Sequence, residues 1–140
     1  MRGTLTLFVV LLFSQVSWSE ILKVEDLHKK SEVLLKESAK AKTDTDRSAK
    51  LLDLKKTIDT TLDAYRAKDL EENSEAHEEA ALFFYTLEPV FKFVEEKKKP
   101  ADCGPTEGKI KSADAQGRPE GAPLTKNAAI ALDWLKVFCK

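Results

Sequence analysis

The two histidines of this chain are the side chains best suited to hold a metal ion or a haem iron. Neither His28 nor His77 belongs to an H-E-x-x-H zinc signature, and Ser74 stands where the Glu-x-x-His motif of di-iron bundles requires glutamate. The single methionine is Met1 and no C-x-x-C-H sequence is present, so the ligands of exported bundle cytochromes are missing. We therefore expect helix-face histidines with no cofactor and no metal; a haem or metal site built from His28 and His77 is the alternative.

Motifs for catalysis and for phosphate or calcium binding are also missing from the sequence. No Gly-x-Ser-x-Gly elbow occurs, and residues 104–109 have three residues between their glycines where a phosphate-binding loop has four. The acidic stretch 69–79 contains no glycine, and Ala49 occupies the position that is glycine in an EF-hand beginning at Asp44. The favoured interpretation is a protein without enzymatic activity.

The only cysteines are Cys103 and Cys139, which lack the C-x-x-C spacing of a redox pair. An even number of cysteines indicates a disulfide bond in a chain that is exported, and the leader-like residues 1–19 described next predict export. A bridge between them would close a loop of roughly 35 residues, which in the chain-entropy model stabilises the fold by about 3 to 4 kcal/mol.

The first nineteen residues resemble a cleavable signal peptide. Arg2 precedes an apolar run over residues 5–13, and small residues follow at Ser17 and Ser19, which predicts cleavage before Glu20. The run is too short to span a membrane, which takes about 20 apolar residues; a buried N-terminal helix is the alternative. We expect a secreted or periplasmic protein with one domain over residues 20–140 and no membrane span in its mature form.

The charge balance limits the possible partners. The chain has 23 lysines and arginines against 24 aspartates and glutamates. A nucleic-acid-binding protein needs a basic excess, as does a protein that docks on anionic membranes, so neither class of partner is expected. The expected partner is an unidentified protein or a small apolar ligand.

Amphipathic patterns predict four helices and an all-α fold. The first three cover residues 24–41, residues 47–68 and a segment from Ser74 to about 94, in which Pro89 should cause a kink or a restart. Residues 90–94 could alternatively form a short strand. The last helix is expected over residues 126–138, with Thr125 as its N-cap. The second helix has the clearest apolar stripe, formed by Leu51, Leu54, Ile58, Leu62 and Tyr65.

The segment between the last two helices is expected to be a long loop. Residues 97–123 hold every glycine of the mature chain and four of its five prolines. Four helices with one such loop favour a four-helix bundle, and an orthogonal all-α domain is the alternative.

A group of aromatic residues carries the largest apolar surface and has two interpretations. It either fills the core or lines a groove for an apolar ligand or a partner helix, with the 97–123 loop as a lid. The sequence thus favours an exported, non-enzymatic binding or structural protein. The candidate groove residues are Phe83, Phe84, Tyr85, Phe91, Phe93 and Trp134.

Overall fold

The computed structural model describes residues 22–67 and 70–140, and within these ranges the chain forms five α-helices and no strand. The expectation of an all-α fold is therefore confirmed, and residues 90–94 are helical. The proposed signal peptide lies outside the described residues. The helices are α1 (Val24–Lys40), α2 (Asp44–Ala67), α3 (Leu70–Glu95), α4 (Cys103–Ala115) and α5 (Lys126–Phe138), and a 3-10 turn (Pro100–Asp102) precedes α4.

Helices α1 and α2 form an antiparallel pair that is tied together at both ends. Near the α1–α2 turn, the buried Ser38 hydroxyl donates to the carbonyl oxygen of Arg47 at 3.0 Å. At the other end, the Tyr65 hydroxyl donates to the carbonyl oxygen of Leu22 at 2.8 Å. Both hydroxyls are thereby satisfied, which offsets the cost of removing them from water.

Two helices begin earlier than the sequence pattern predicts. Helix α2 begins at Asp44 instead of residue 47, and the Thr43 hydroxyl caps it by accepting from the backbone N–H of Asp46 at 3.1 Å. Helix α3 begins at Leu70, so the break expected before Ser74 is wrong. The polar pair at residues 73–74 contains neither glycine nor proline and is therefore a weak helix stop.

Helix α3 continues through Pro89, so a restart at this residue is wrong. Proline removes one backbone hydrogen bond from a helix interior. Burial offsets this cost, because the turns on both sides of Pro89 carry fully buried apolar side chains. These include Phe83, Leu87, Val90 and Phe91.

Helix α4 corrects the expectation that residues 97–123 form one long loop. Two of the residues that suggest a loop suit the ends of a helix: Pro105 lies in the first turn, where a missing N–H costs little, and Gly117 follows the helix end with φ of 70°. Thr106 and Ile110, four residues apart, are both buried and fasten the helix to the core. The Cys103–Cys139 disulfide predicted from the sequence is present and joins the start of α4 to the end of α5.

A polar cluster joins the end of α4 to the start of α5. The Asp114 carboxylate, whose side chain is 8% exposed, accepts from the Thr125 hydroxyl at 2.5 Å and the Thr125 backbone N–H at 3.1 Å. Arg118 donates to the same carboxylate at 2.7 Å and to the carbonyl oxygen of Pro123. Thr125 in turn accepts from the N–H of Ala128 at 3.2 Å, which confirms it as the N-cap of α5.

The core lies between α1, α2, α3 and α5, which all contact one another, while α4 packs chiefly on α3 and α5. Trp134 of α5 is fully buried at its centre, and its indole N–H donates to the buried hydroxyl of Ser31 on α1 at 2.8 Å. The α2 stripe predicted from the sequence is buried at all five of its positions.

Candidate functional site

His28 is a half-buried residue of α1 whose ring contacts α5 and α3. Its Nε2 lies 2.7 Å from the Oδ1 of Asn127, and its ring meets the edge of Phe83 at a centroid distance of 4.7 Å. The pKa of His28 is lowered, chiefly because the ring is partly buried. The hydrogen bond with Asn127 and the charge of Glu25 act in the opposite direction, whereas the charge of Lys126 lowers the pKa further. Because Nε2 already donates to Asn127, ligation of a metal through this atom would require that hydrogen bond to break.

His77, the second histidine, contacts an aromatic ring of α2. Its ring packs edge-on against Tyr65 at a centroid distance of 5.9 Å. Among the described residues, no group of three histidine, cysteine, aspartate or glutamate side chains is placed to hold a metal ion. The haem or metal hypothesis therefore remains a prediction from the sequence, which an absorption spectrum and a metal analysis of the purified protein would test.

The six aromatic candidates are divided between the core and the surface. Phe83, Phe91, Phe93 and Trp134 are buried, and they fill the space between the helices. Phe84 is half-buried and contacts the rings of Tyr85 and Phe91, whereas Tyr85 is 64% exposed. The structure thus does not bring the six together on one surface, and their role in binding a ligand remains a prediction.

A separate groove opens where the start of α2, the end of α3 and the end of α5 meet. We call this the end groove. It encloses about 800 Å³, within the range of sites that bind small molecules. Its apolar lining is formed by Ala49, Leu52, Phe93, Val94, Pro100, Val137 and Phe138, and its polar lining by Asp44, Thr45, Arg47, Ser48, Glu95, Lys97, Lys98 and Lys140.

The apolar lining joins the core to the surface. Phe93 and Val137 are buried, Val94 and Phe138 are half-buried, and Leu52 is 39% exposed. Leu52 lies outside the buried stripe of α2, so the packing of the core does not account for a leucine there. An apolar ligand in the groove would cover these side chains and remove them from water.

Both acidic side chains of the end groove are already paired. Asp44 lies 2.6 Å from Arg47, and Glu95 lies 2.5 Å from the Nζ of Lys55. Lys98 is also paired, with Glu96 at 3.6 Å. These pairs neutralise most of the charge along the groove.

Two lysines of the groove, in contrast to Lys98, have no acidic partner within residues 22–67 and 70–140. Lys97 and Lys140 form no ion pair with any side chain in the described parts of the chain. Their ammonium groups are the two lining cations that have no ion-pair partner among the described residues. The groove therefore combines an apolar surface with two cations that are available to an anion.

Lys97 also has an unusual backbone. With φ of 51° it is the one non-glycine residue of the described chain in the left-handed region. It ends α3 in a Schellman motif, in which the N–H of Lys98 donates to the carbonyl oxygen of Phe93 at 2.9 Å and the N–H of Lys97 to that of Val94 at 3.1 Å. Glycine is the usual residue here and avoids a cost of about 1 kcal/mol.

Sequence reasoning missed the end groove because its walls come from segments far apart in the chain. In the sequence, the run of lysines at residues 97–99 is most simply the basic end of a helix. Leu52, an apolar residue outside the stripe of α2, was the one signal that could have pointed to it.

No protein-family model, curated protein or solved structure gives a significant match to this chain. Among the described helices, none is both long enough and apolar enough to cross a membrane.

Proposed function

We propose that this protein is exported and acts without catalysing a reaction, by binding a ligand with an apolar chain in the end groove. The observation that carries the proposal is an open groove of about 800 Å³ whose lining runs from the exposed Leu52 down to the buried Phe93. Ligand sites are typically concave and mostly apolar, with a few polar groups that orient the ligand.

Export is supported by two features. The leader-like residues 1–19 fit a cleavable signal peptide, and the Cys103–Cys139 disulfide is a bond that persists in oxidising compartments. The test is N-terminal sequencing of the native protein together with its location in the cell. A mature chain that begins at Glu20 outside the cytoplasm is expected, and a cytoplasmic chain that retains Met1 would contradict export.

The architecture behind the groove is, in this proposal, a four-helix bundle formed by α1, α2, α3 and α5, with α4 added on one side. The disulfide ties the end of α5, which forms one wall of the groove, to the start of α4. A wall held in this way supports a groove that exists before the ligand arrives, which lowers the entropy cost of binding.

A neutral apolar fluorophore, N-phenyl-1-naphthylamine, tests the binding proposal directly. Its fluorescence should rise on addition of the oxidised protein, and Leu52→Gln should weaken its binding by about fivefold, because roughly 1 kcal/mol of apolar contact is lost. The matched control is Leu82→Gln, since Leu82 is also exposed (60%) but lies on α3 and does not line the groove.

The two substitutions separate groove binding from general surface hydrophobicity. The control variant should bind the fluorophore like the unmodified protein. Equal binding by all three proteins, or no rise in fluorescence with any of them, would refute the end groove as an apolar ligand site. Thermal unfolding of both variants checks that each remains folded.

A further inference from the structure

We infer that the ligand of the end groove is an anionic, single-chain amphiphile such as a long-chain carboxylate; this inference rests on the function proposed above. The argument uses the placement of charge beside the apolar lining. Lys97 and Lys140 line the same groove as Val94 and Phe138, and neither lysine is paired with a described carboxylate.

A ligand with an anionic head and an apolar tail complements both parts of the groove, the two lysines and the apolar lining. The tail covers Leu52, Val94 and Phe138, which removes apolar surface from water. The head accepts charge-assisted hydrogen bonds from Lys97 and Lys140, which are stronger than bonds between neutral groups. A neutral chain would leave both exposed ammonium groups hydrated and would gain nothing from their charge, and a cationic chain would be repelled by them.

The backbone of Lys97 supports the same conclusion. A left-handed position at the end of α3 favours glycine, yet the chain carries a long cationic side chain there. Strained positions of this kind are concentrated at functional sites. An ammonium group that binds the ligand gives a reason for lysine at a place where glycine would fit with less strain.

The inferred source is the free amphiphile in solution, not a membrane surface. The groove is a concave site of limited volume that matches a single chain. Two lysines that are unpaired in the described structure are fewer than the cluster of about four to eight basic residues that is typical of segments docking on an anionic membrane.

Isothermal titration of the oxidised protein with three twelve-carbon probes tests the inference. The probes are dodecanoate and dodecyltrimethylammonium, each below its micelle concentration, and dodecanol below its solubility limit, all at low ionic strength. Dodecanoate should bind about tenfold more tightly than dodecanol, since two exposed ion pairs each add a factor of roughly 2 to 5. Dodecyltrimethylammonium should bind more weakly than dodecanol.

Variants then locate the anionic head. Lys97→Gln combined with Lys140→Gln should remove most of the advantage of dodecanoate and leave the binding of dodecanol unchanged. The control is Lys56→Gln, which neutralises an exposed lysine of α2 outside the groove and should change neither affinity.

The outcomes distinguish this inference from the proposal on which it rests. Equal affinity for dodecanoate and dodecanol, both weakened by Leu52→Gln, would overturn the anionic ligand and retain the groove. No binding of any probe, together with no fluorophore binding, would overturn both. Sedimentation with phosphatidylglycerol vesicles that depends on Lys97 and Lys140 would also overturn the inference, because the partner would then be a membrane.

Discussion

Removal of the Asp114 carboxylate should cost the protein a large part of its stability. This group accepts two hydrogen bonds from Thr125 and one from Arg118, and its side chain is almost fully buried. Asp114→Ala leaves the donors of Thr125 without their acceptor, and Thr125 itself caps α5. A hydrogen bond to a charged group contributes about 1.5 to 3 kcal/mol, and groups left unsatisfied cost a similar amount.

The expected loss for Asp114→Ala is therefore about 2 to 3 kcal/mol in the free energy of unfolding. For a domain of this size, that lowers the midpoint of thermal unfolding by roughly 10 °C. Asp114→Asn keeps one carbonyl oxygen and loses the charge, so its loss should be about half as large. Urea denaturation followed by circular dichroism, with the disulfide intact, measures both variants.

Asp133→Asn is the matched control, because Asp133 is an exposed carboxylate of α5 that lies 3.9 Å from Lys136. Exposed ion pairs contribute little, so this variant should change the stability by less than about 0.5 kcal/mol. If Asp114→Asn unfolds at the same urea concentration as Asp133→Asn, the cluster at the α4–α5 connection does not stabilise the fold as argued.

The acid range provides a second test of the same carboxylate. Burial alone would raise the pKa of Asp114, but the hydrogen bonds from Thr125 and the charge of Arg118 outweigh it, so the pKa lies below its usual value. The contribution of Asp114 is thus fully present above the unfolded-state pKa of about 3.9 and is lost as the pH falls through the lower folded-state pKa. Asp114→Asn should flatten this part of the curve of stability against pH.

Three further perturbations test other contacts of the fold. Ser31→Ala leaves the buried indole N–H of Trp134 without an acceptor and should lower the free energy of unfolding, measured by urea denaturation, by about 1 to 3 kcal/mol. A loss no larger than that of a Ser→Ala change at an exposed position would contradict a stabilising role of this hydrogen bond. Because folding lowers the pKa of His28, the free energy of unfolding should fall as the pH drops from above 6.5 towards that lowered pKa. His28→Gln should remove this pH dependence, and an unchanged dependence in the variant would show that other groups cause it. Reduction of the Cys103–Cys139 disulfide should lower the thermal midpoint by about 15 °C, corresponding to about 3 to 4 kcal/mol, and an unchanged midpoint after verified reduction would refute a stabilising role.

The elements that sequence reasoning predicted well are those in which local pattern and tertiary packing agree. Helix α5 begins after Thr125 and ends at Phe138 as expected, because its cap and its apolar residues both specify a buried helix. The stripe of α2 is buried for the same reason: the positions that are apolar at helical spacing are those that face the core.

Helix α4 was missed because its local signals oppose a helix. Its moderately polar sequence contains Gly104, Pro105 and Gly108, and only Thr106 and Ile110 are buried. The disulfide at its first residue and packing on α3 and α5 stabilise the helix, and neither effect is visible in a local pattern.

The end groove could not be predicted from local patterns either. Leu52, Phe93 and Phe138 lie in three different helices, and they meet only because α2 runs antiparallel to its neighbours. The aromatic candidates show the opposite error: the sequence groups them by residue type, but four of the six fill the core instead of lining one surface.

Nuclear magnetic resonance of the isotope-labelled, oxidised protein during titration with dodecanoate tests the central claim most directly. Binding in the end groove predicts saturable shifts of backbone amide signals confined to residues 44–52, 93–100 and 137–140. Shifts centred instead on the exposed face of α3 around Leu82 and Tyr85, or no saturable shifts anywhere, would contradict it.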